Sequence, residues 1–226
     1  MCILCTQQYN KDMKLIDYYD NNNICNKGYE RLSILTNLKI LNIGNNSIDI
    51  NGCEYLSKLT NLEELDLNYN NISDEGCDFL SKLTNLKKIN LYNNNISDKG
   101  CKFLSKLINL EELHLYYNII SDEGCKYISK LTNLNILKLS INKISDKGCK
   151  YISKLTNLNT LILSRNKISN KGCEYLSKLI NLKTLNLNNN NLSNNYKEYL
   201  NLFKYPYKIE NGLKIKLFCM KYYFKI

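Results

Sequence analysis

A glycine–cysteine pair recurs every 24 residues, at Gly52-Cys53, Gly76-Cys77, Gly100-Cys101, Gly124-Cys125, Gly148-Cys149 and Gly172-Cys173. Thiols at fixed spacing are the raw material of metal ladders, disulfide chains and redox relays, and each of these sets a distance. A disulfide needs Cα atoms within about 7 Å, and a structural zinc site needs sulfurs about 2.3 Å from one shared ion. Cys2, Cys5, Cys25 and Cys219 lie outside the pattern; Cys2-Ile3-Leu4-Cys5 has CxxC spacing but no second pair or suitably spaced histidines. Acid–base material is equally thin. His114 is the single histidine, and of the adjacent pairs Glu63-Glu64 and Glu111-Glu112 only Glu64 and Glu112 would share a strand face, two rungs and about 10 Å apart. No glycine-rich phosphate loop and no nucleophile elbow is present. The chain is expected to be non-enzymatic, with no catalytic residue, cofactor or metal site.

The elements that position these residues come from the repeat itself. Rows of 24 from Leu35 read, for example, "LTNLEELDLNYNNISDEGCDFLSK" at 59–82, and the row at Leu179 loses the glycine and cysteine to Tyr196 and Lys197. In "LEELDLNY", Leu65 and Leu67 alternate with Glu64, Asp66 and Asn68, the pattern of a short half-buried strand. Asn46, Asn70, Asn94, Asn118, Asn142 and Asn166 close each strand, where a side-chain amide can satisfy backbone groups of its own and the adjacent turn. Ser73 or Asp74 then caps a short helix, and Asp74 and Glu75 put negative charge on its first turn. Cys77, Leu80 and Leu83 share the helix face turned to the strands. Tyr55, Phe79, Phe103, Tyr127, Tyr151 and Tyr175 are expected on the helix flank, packing against the next repeat, with the lysine of "LSKL" pointing outward. The expected architecture is α/β: parallel strands on an inner arc and helices on an outer arc, about 8–10 Å apart. At that spacing neighbouring cysteines reach neither a disulfide nor a common metal, so the six thiols are expected to be small buried apolar groups.

The signature L-x-x-L-x-L-x-x-N-x-I/L, with Leu62, Leu65, Leu67, Asn70 and Ile72 as one instance, resembles the leucine-rich repeat family, whose unit length brackets 24. The "SDxGCxxLSKL" half is similar to the ribonuclease-inhibitor-like subclass and to units of some bacterial effectors, and the "LTNL" start is similar to the internalins. The resemblance implies a curved horseshoe segment over residues 24–202, with six full repeats from 35 to 178 and partial repeats at both ends. Residues 1–23 would form an irregular N-terminal cap. Residues 203–226 would form a C-terminal cap, with Asn211-Gly212 as a hairpin turn before a half-buried strand at Leu213, Ile215 and Leu217. Caps are needed because a solenoid is apolar at both open ends. About activity the resemblance is nearly silent.

Function is therefore sought where the repeats differ. Scaffold positions hardly vary, whereas outward strand positions do, and stacking places them on one concave sheet: Glu64, Asp66, Tyr69, Lys88, Tyr92, Glu112, His114, Tyr116, Tyr117, Lys138, Ile141, Ile162 and Arg165. Tyrosine and arginine beside apolar residues match the composition of protein-binding hot spots. The expected function is an interaction module binding a protein partner on this face. A second reading is a polyanion or membrane-surface binder, since the chain carries 31 basic against 21 acidic residues and a basic, aromatic C-terminus. A third, an adaptor in ubiquitin ligation or an effector acting on a host cell, rests on family analogy. Nearly all the positive charge is lysine, Arg31 and Arg165 being the only arginines, which argues against specific nucleic-acid readout. Abundant Asn, Lys, Ile and Tyr suggest an AT-rich genome. No signal-peptide pattern and no long apolar run are visible, which points to a monomer in the cytoplasm, or a host's cytoplasm for a viral or effector protein, with its ten cysteines as thiols.

Overall fold

Alternation of apolar and polar residues sets the sheet. The computed structural model describes residues 5, 9–18, 24–193 and 217–218. Eight three-residue strands alternate with seven helices in these segments: β1 (Leu15–Asp17), α1 (Asn26–Ser33), β2 (Ile40–Asn42), α2 (Ile50–Leu56), β3 (Glu64–Asp66), α3 (Asp74–Leu80), β4 (Lys88–Asn90), α4 (Asp98–Leu104), β5 (Glu112–His114), α5 (Asp122–Ile128), β6 (Ile136–Lys138), α6 (Asp146–Ile152), β7 (Thr160–Ile162), α7 (Asn170–Leu176) and β8 (Thr184–Asn186). All neighbours pair in parallel and in chain order. Leu41, Leu65, Ile89, Leu113, Leu137, Leu161 and Leu185 stand in register as a buried column, flanked by the residues that look outward. The fold is an α/β leucine-rich-repeat solenoid.

One difference from the sequence expectation arises at the N-terminal end. Within the segment expected to be irregular, β1 pairs with β2 through Ile16↔Leu41, and Ile16 is buried. This strand extends the sheet one rung before the periodic rows begin. At the other end, Leu217–Phe218 forms β9, parallel to β8; the rest of the expected C-terminal hairpin lies outside the described residues.

Three side-chain ladders bind rung to rung, and a fourth column of contacts repeats within each rung. Asn94 Oδ1 accepts from Ile72 N at 2.9 Å while its Nδ2 donates to Leu67 O and Leu91 O, and Asn70, Asn118, Asn142, Asn166 and Asn190 repeat the arrangement. This is the asparagine ladder read from the sequence. A second one, unforeseen, runs along the surface: Asn61, Asn85, Asn109, Asn133, Asn157 and Asn181 of the "TNL" turns each donate to a backbone carbonyl of the preceding repeat.

The third ladder corrects the reading of the helix starts. Asp74 does more than charge its own first turn: Oδ1 accepts from Ser97 N and Gly100 N, and Oδ2 from Ser97 Oγ, so it caps the following helix from the previous rung. Asp98, Asp122 and Asp146 do the same for the Ser121, Ser145 and Ser169 caps. Where the row before has Ile50 in place of this aspartate, Ser73 makes no side-chain cap bond and instead donates to Glu75 Oε2. The fourth corrects the lysines. Lys58, Lys82, Lys106, Lys130 and Lys154 lie over the rings of Tyr55, Phe79, Phe103, Tyr127 and Tyr151, with ammonium-to-centroid distances of 4.8–5.7 Å. They cover the half-buried aromatic column while their charge stays in water.

The six repeating thiols are wholly buried. Cys53, Cys77, Cys101, Cys125 and Cys149 each lie beneath the glycine of the next rung: a Cβ on Gly76 would stand 3.1 Å from Cys53 Sγ, and one on Gly100 would stand 3.2 Å from Cys77 Sγ. Burial pushes Cys53 up to about 12, Asp49 adding to the shift, and drives Cys77, Cys101, Cys125 and Cys149 upward for the same principal reason. They are neutral, apolar plugs between helices.

Candidate functional site: the concave face

The parallel register carries each strand's outward residues into two continuous rows. One reads Glu64, Lys88, Glu112, Ile136 and Thr160, and the other Asp66, Asn90, His114, Lys138 and Ile162. Lys88 thus stands between Glu64 and Glu112, with its Nζ 3.2 Å from Glu64 Oε1. The two glutamates are separated by a cation, so they form part of an alternating charge row and have no paired acid–base geometry. Asp66 Oδ2 accepts from Asn90 Nδ2 at 2.9 Å. These residues line a depression of about 360 Å³ that extends from β1 to β5 and takes in Leu15, Asp17, Ile40 and Asn42 as well. Leu15 and Asp17 were not foreseen, because β1 pairs with an offset of 25 residues and falls outside the periodic rows.

His114 sits on the floor of this row. Its Nε2 is 2.7 Å from Glu112 Oε1, close in distance but without the alignment of a hydrogen bond. Burial lowers its pKa below the ordinary histidine value, and Lys138, its partner on β6, adds to the effect; Glu112 and Asp66 pull the other way. The ring is neutral at pH 7. Because the folded pKa lies below the unfolded one, the unfolded chain takes up this proton first, and stability falls as the pH drops below about 6.5 toward the folded midpoint. As the single histidine, His114 gives an unobstructed NMR signal. Its Cε1–H titration is expected to have a midpoint below about 6.5 and to move up in Lys138→Met; a midpoint above that value would contradict the arrangement.

Beyond the strands the sequence-predicted tyrosines come together. Tyr92 and Tyr116 stack with ring centroids 3.9 Å apart and planes 13° from parallel. Tyr69 meets Tyr92 edge-on, their hydroxyls 2.6 Å apart, and Tyr117 closes on Tyr92 from the other side at 6.3 Å between centroids. The bond to Tyr69 pushes the Tyr92 hydroxyl up to about 12, with burial assisting. The cluster is fixed by these contacts yet open to solvent: Tyr69 is 40% and Tyr117 52% exposed.

One feature at this edge had no sequence signal. Asn45, Tyr69, Asn93, Tyr117, Ile141, Arg165 and Asn189 all have φ between 49° and 58°, the left-handed region that L-residues other than Asn, Asp and Gly avoid. From Asn45 to Arg165 their N–H groups bridge to the next rung, as in Tyr117 N to Ser140 O and Arg165 N to Asn188 O. The fold requires the conformation at every rung, while the residue type changes.

Known proteins share this architecture. The family description "Leucine Rich repeats (2 copies)" matches residues 60–106, and "Leucine Rich repeat" matches 106–129, 130–153 and 154–177. Internalin C2 of Listeria monocytogenes is 30% identical over 74% of this chain and 68% of its own, with a TM-score of 0.63. The chain belongs to the leucine-rich repeat family. The internalin InlF of the same organism is 29% identical over 77% of the chain with a TM-score of 0.68, and the chain spans about half (48%) of that structure. The plant peptide hormone receptor RGFR1, solved in complex with RGF2, is 25% identical over 73% of the chain and 30% of its own, with a TM-score of 0.52. No curated protein matches the sequence. The similarity of the "LTNL" start to the internalins agrees with these structural neighbours. Among its described residues no group of three His, Cys, Asp or Glu side chains is placed to hold a metal ion, and no helix is long and apolar enough to cross a membrane.

Proposed function

We propose that the protein is a non-enzymatic interaction module that binds a protein partner on its concave face, through the strand residues Glu64, Asp66, Lys88, Glu112, His114, Lys138 and Ile162 and the edge formed by Tyr69, Tyr92, Tyr116, Tyr117, Ile141 and Arg165. Leucine-rich repeat domains generally mediate protein–protein interaction, and RGFR1 is a relative of the same fold solved with its ligand. The observation that carries the reading is the left-handed edge. Asn stands there at 45, 93 and 189, where it is conformationally cheap, but Tyr69, Tyr117, Ile141 and Arg165 occupy the same backbone position. Each costs of order 1 kcal/mol or more relative to a residue suited to that region. Drift after duplication, with packing as the only constraint, would favour the cheaper residue; a bulky side chain kept there is explained by what it contacts in a complex.

This argument yields a test in which stability and binding move in opposite directions. Tyr117→Asn and Arg165→Asn are expected to leave the urea midpoint unchanged or raise it, while partner capture from native cytosol, read by mass spectrometry, falls about tenfold or more. If these variants recover the same proteins as the unaltered chain, the concave-face reading is wrong.

A further inference from the structure

The described thiols fall into two populations, the six buried in the solenoid and a pair near the N-terminus. Cys5 and Cys25, 20 residues apart in sequence, bring their Sγ atoms to 3.3 Å. Cys25 is exposed and Cys5 half-buried, in contrast to the six solenoid thiols, which have no exposure at all. Both members of the pair are held by independent contacts. Cys25 is the N-cap of α1, its carbonyl accepting from Gly28 N and Tyr29 N. The Cys5 carbonyl accepts from Arg31 Nη1 at 2.7 Å, and the Arg31 guanidinium also lies over the Tyr9 ring. We infer that Cys5 and Cys25 form a reversible dithiol–disulfide site that staples the N-terminal segment to the first helix.

Bond formation requires the sulfurs to close by about 1.3 Å, to about 2.05 Å. The oxidant is a small-molecule disulfide such as oxidised glutathione. The exposed Cys25 thiolate attacks one sulfur of that disulfide and releases one glutathione thiolate, leaving a mixed disulfide on Cys25. Cys5 then loses its proton, and its thiolate attacks Cys25 Sγ, breaking the mixed bond and releasing the second glutathione. Two protein thiols are oxidised by two electrons, one external disulfide is reduced to two thiols, and the two protons leave with the products. The solenoid cysteines do not compete, since no reagent reaches their sulfurs and burial keeps them protonated.

The loop this bond closes contains β1. Among the described residues that strand has a neighbour on one side only, β2, and it stands at the end of the sheet. Terminal rungs are where a solenoid opens first. Because Leu15, Ile16 and Asp17 also line the concave depression, oxidation would fix the first rung of that surface; the staple itself does not depend on what the surface binds.

The experiment uses the full chain equilibrated in mixtures of reduced and oxidised glutathione, quenched in acid and weighed intact. Oxidation is expected to lower the mass by about 2 Da, non-reducing digestion to yield a Cys5–Cys25 cross-linked peptide, and C5S and C25S each to abolish it. A maleimide is expected to leave Cys53, Cys77, Cys101, Cys125, Cys149 and Cys173 unlabelled in the native protein and to label them after denaturation. Amide hydrogen exchange at residues 15–17 is expected to slow about tenfold or more in the oxidised form. A persistent glutathione adduct on Cys25, a cross-link to Cys2 or Cys219 instead, no mass change, or unchanged exchange at β1 would each overturn the proposal.

Discussion

Asn118→Ala is expected to lower the unfolding free energy by about 2–4 kcal/mol, read from urea denaturation. Asn118 is buried in the turn after β5, against the rung of β4, where its Oδ1 accepts from Ile96 N at 3.0 Å and its Nδ2 donates to Leu91 O and Leu115 O. Alanine leaves the buried Ile96 amide without its acceptor. The two carbonyls fare better, because Leu91 O also accepts from Asn94 and Leu115 O from Asn142. The surface ladder supplies the control. Asn133 makes one exposed bond to Ile108 O, and its alanine variant is expected to cost less than about 1 kcal/mol. Equal effects at the two sites would mean that burial does not set the cost of a rung.

That contrast also explains what the sequence could disclose. Leu65 and Leu67 alternating with polar neighbours, six times in register, leave a parallel solenoid as the arrangement that buries every leucine, so the fold follows from periodicity alone. The buried asparagines are legible for the same reason, since a polar residue at an invariant core position must find backbone partners. Asn61 and its equivalents offered a comparable signal, an exposed residue that never changes between copies, but its meaning depends on a carbonyl 25 residues back that no local pattern identifies. The Asp74 ladder was hidden by a competing local explanation: an acid in the first helical turn is already favourable there. β1 was invisible because three residues pairing out of phase leave no period to detect. On the concave face, stacking predicted the rows of Glu64, Lys88 and Glu112 and of Asp66, His114 and Lys138. It did not predict that Lys88 pairs with Glu64, or that Tyr69, Tyr117, Ile141 and Arg165 share a left-handed backbone, since residue identity gives no warning of φ there.

Gly124→Ala puts local propensity against rung-to-rung packing, and the sign of its effect decides which dominates. In an exposed helix the change stabilises by about 1 kcal/mol, because alanine restricts the unfolded chain and glycine is a poor helix former. Here an added Cβ would lie 2.5 Å from Asp98 Oδ1 and 2.6 Å from Ile120 Cγ2, with Cys101 Sγ at 3.3 Å. Asp98 cannot simply retreat, because the same oxygen accepts from Ser121 N and Gly124 N, and its other oxygen accepts from Ser121 Oγ. Moving it unmakes the cap of α5. The expected outcome is destabilisation by about 2–4 kcal/mol in urea denaturation. Asp98→Ala alone is also expected to destabilise, by removing the cap bonds. In the double variant, however, the clash and its main partner disappear together, so the combined loss is expected to be smaller than the sum by about 1 kcal/mol or more. A Gly124→Ala protein as stable as the parent would show that the rungs stand farther apart than the ladder requires. The same geometry accounts for the glycines at Gly100, Gly124, Gly148 and Gly172, each set above the cysteine of the rung before. The glycine lets one helix settle onto the Asp carboxylate of the rung before it, and the thiol of that earlier rung fills the space left where a Cβ would be.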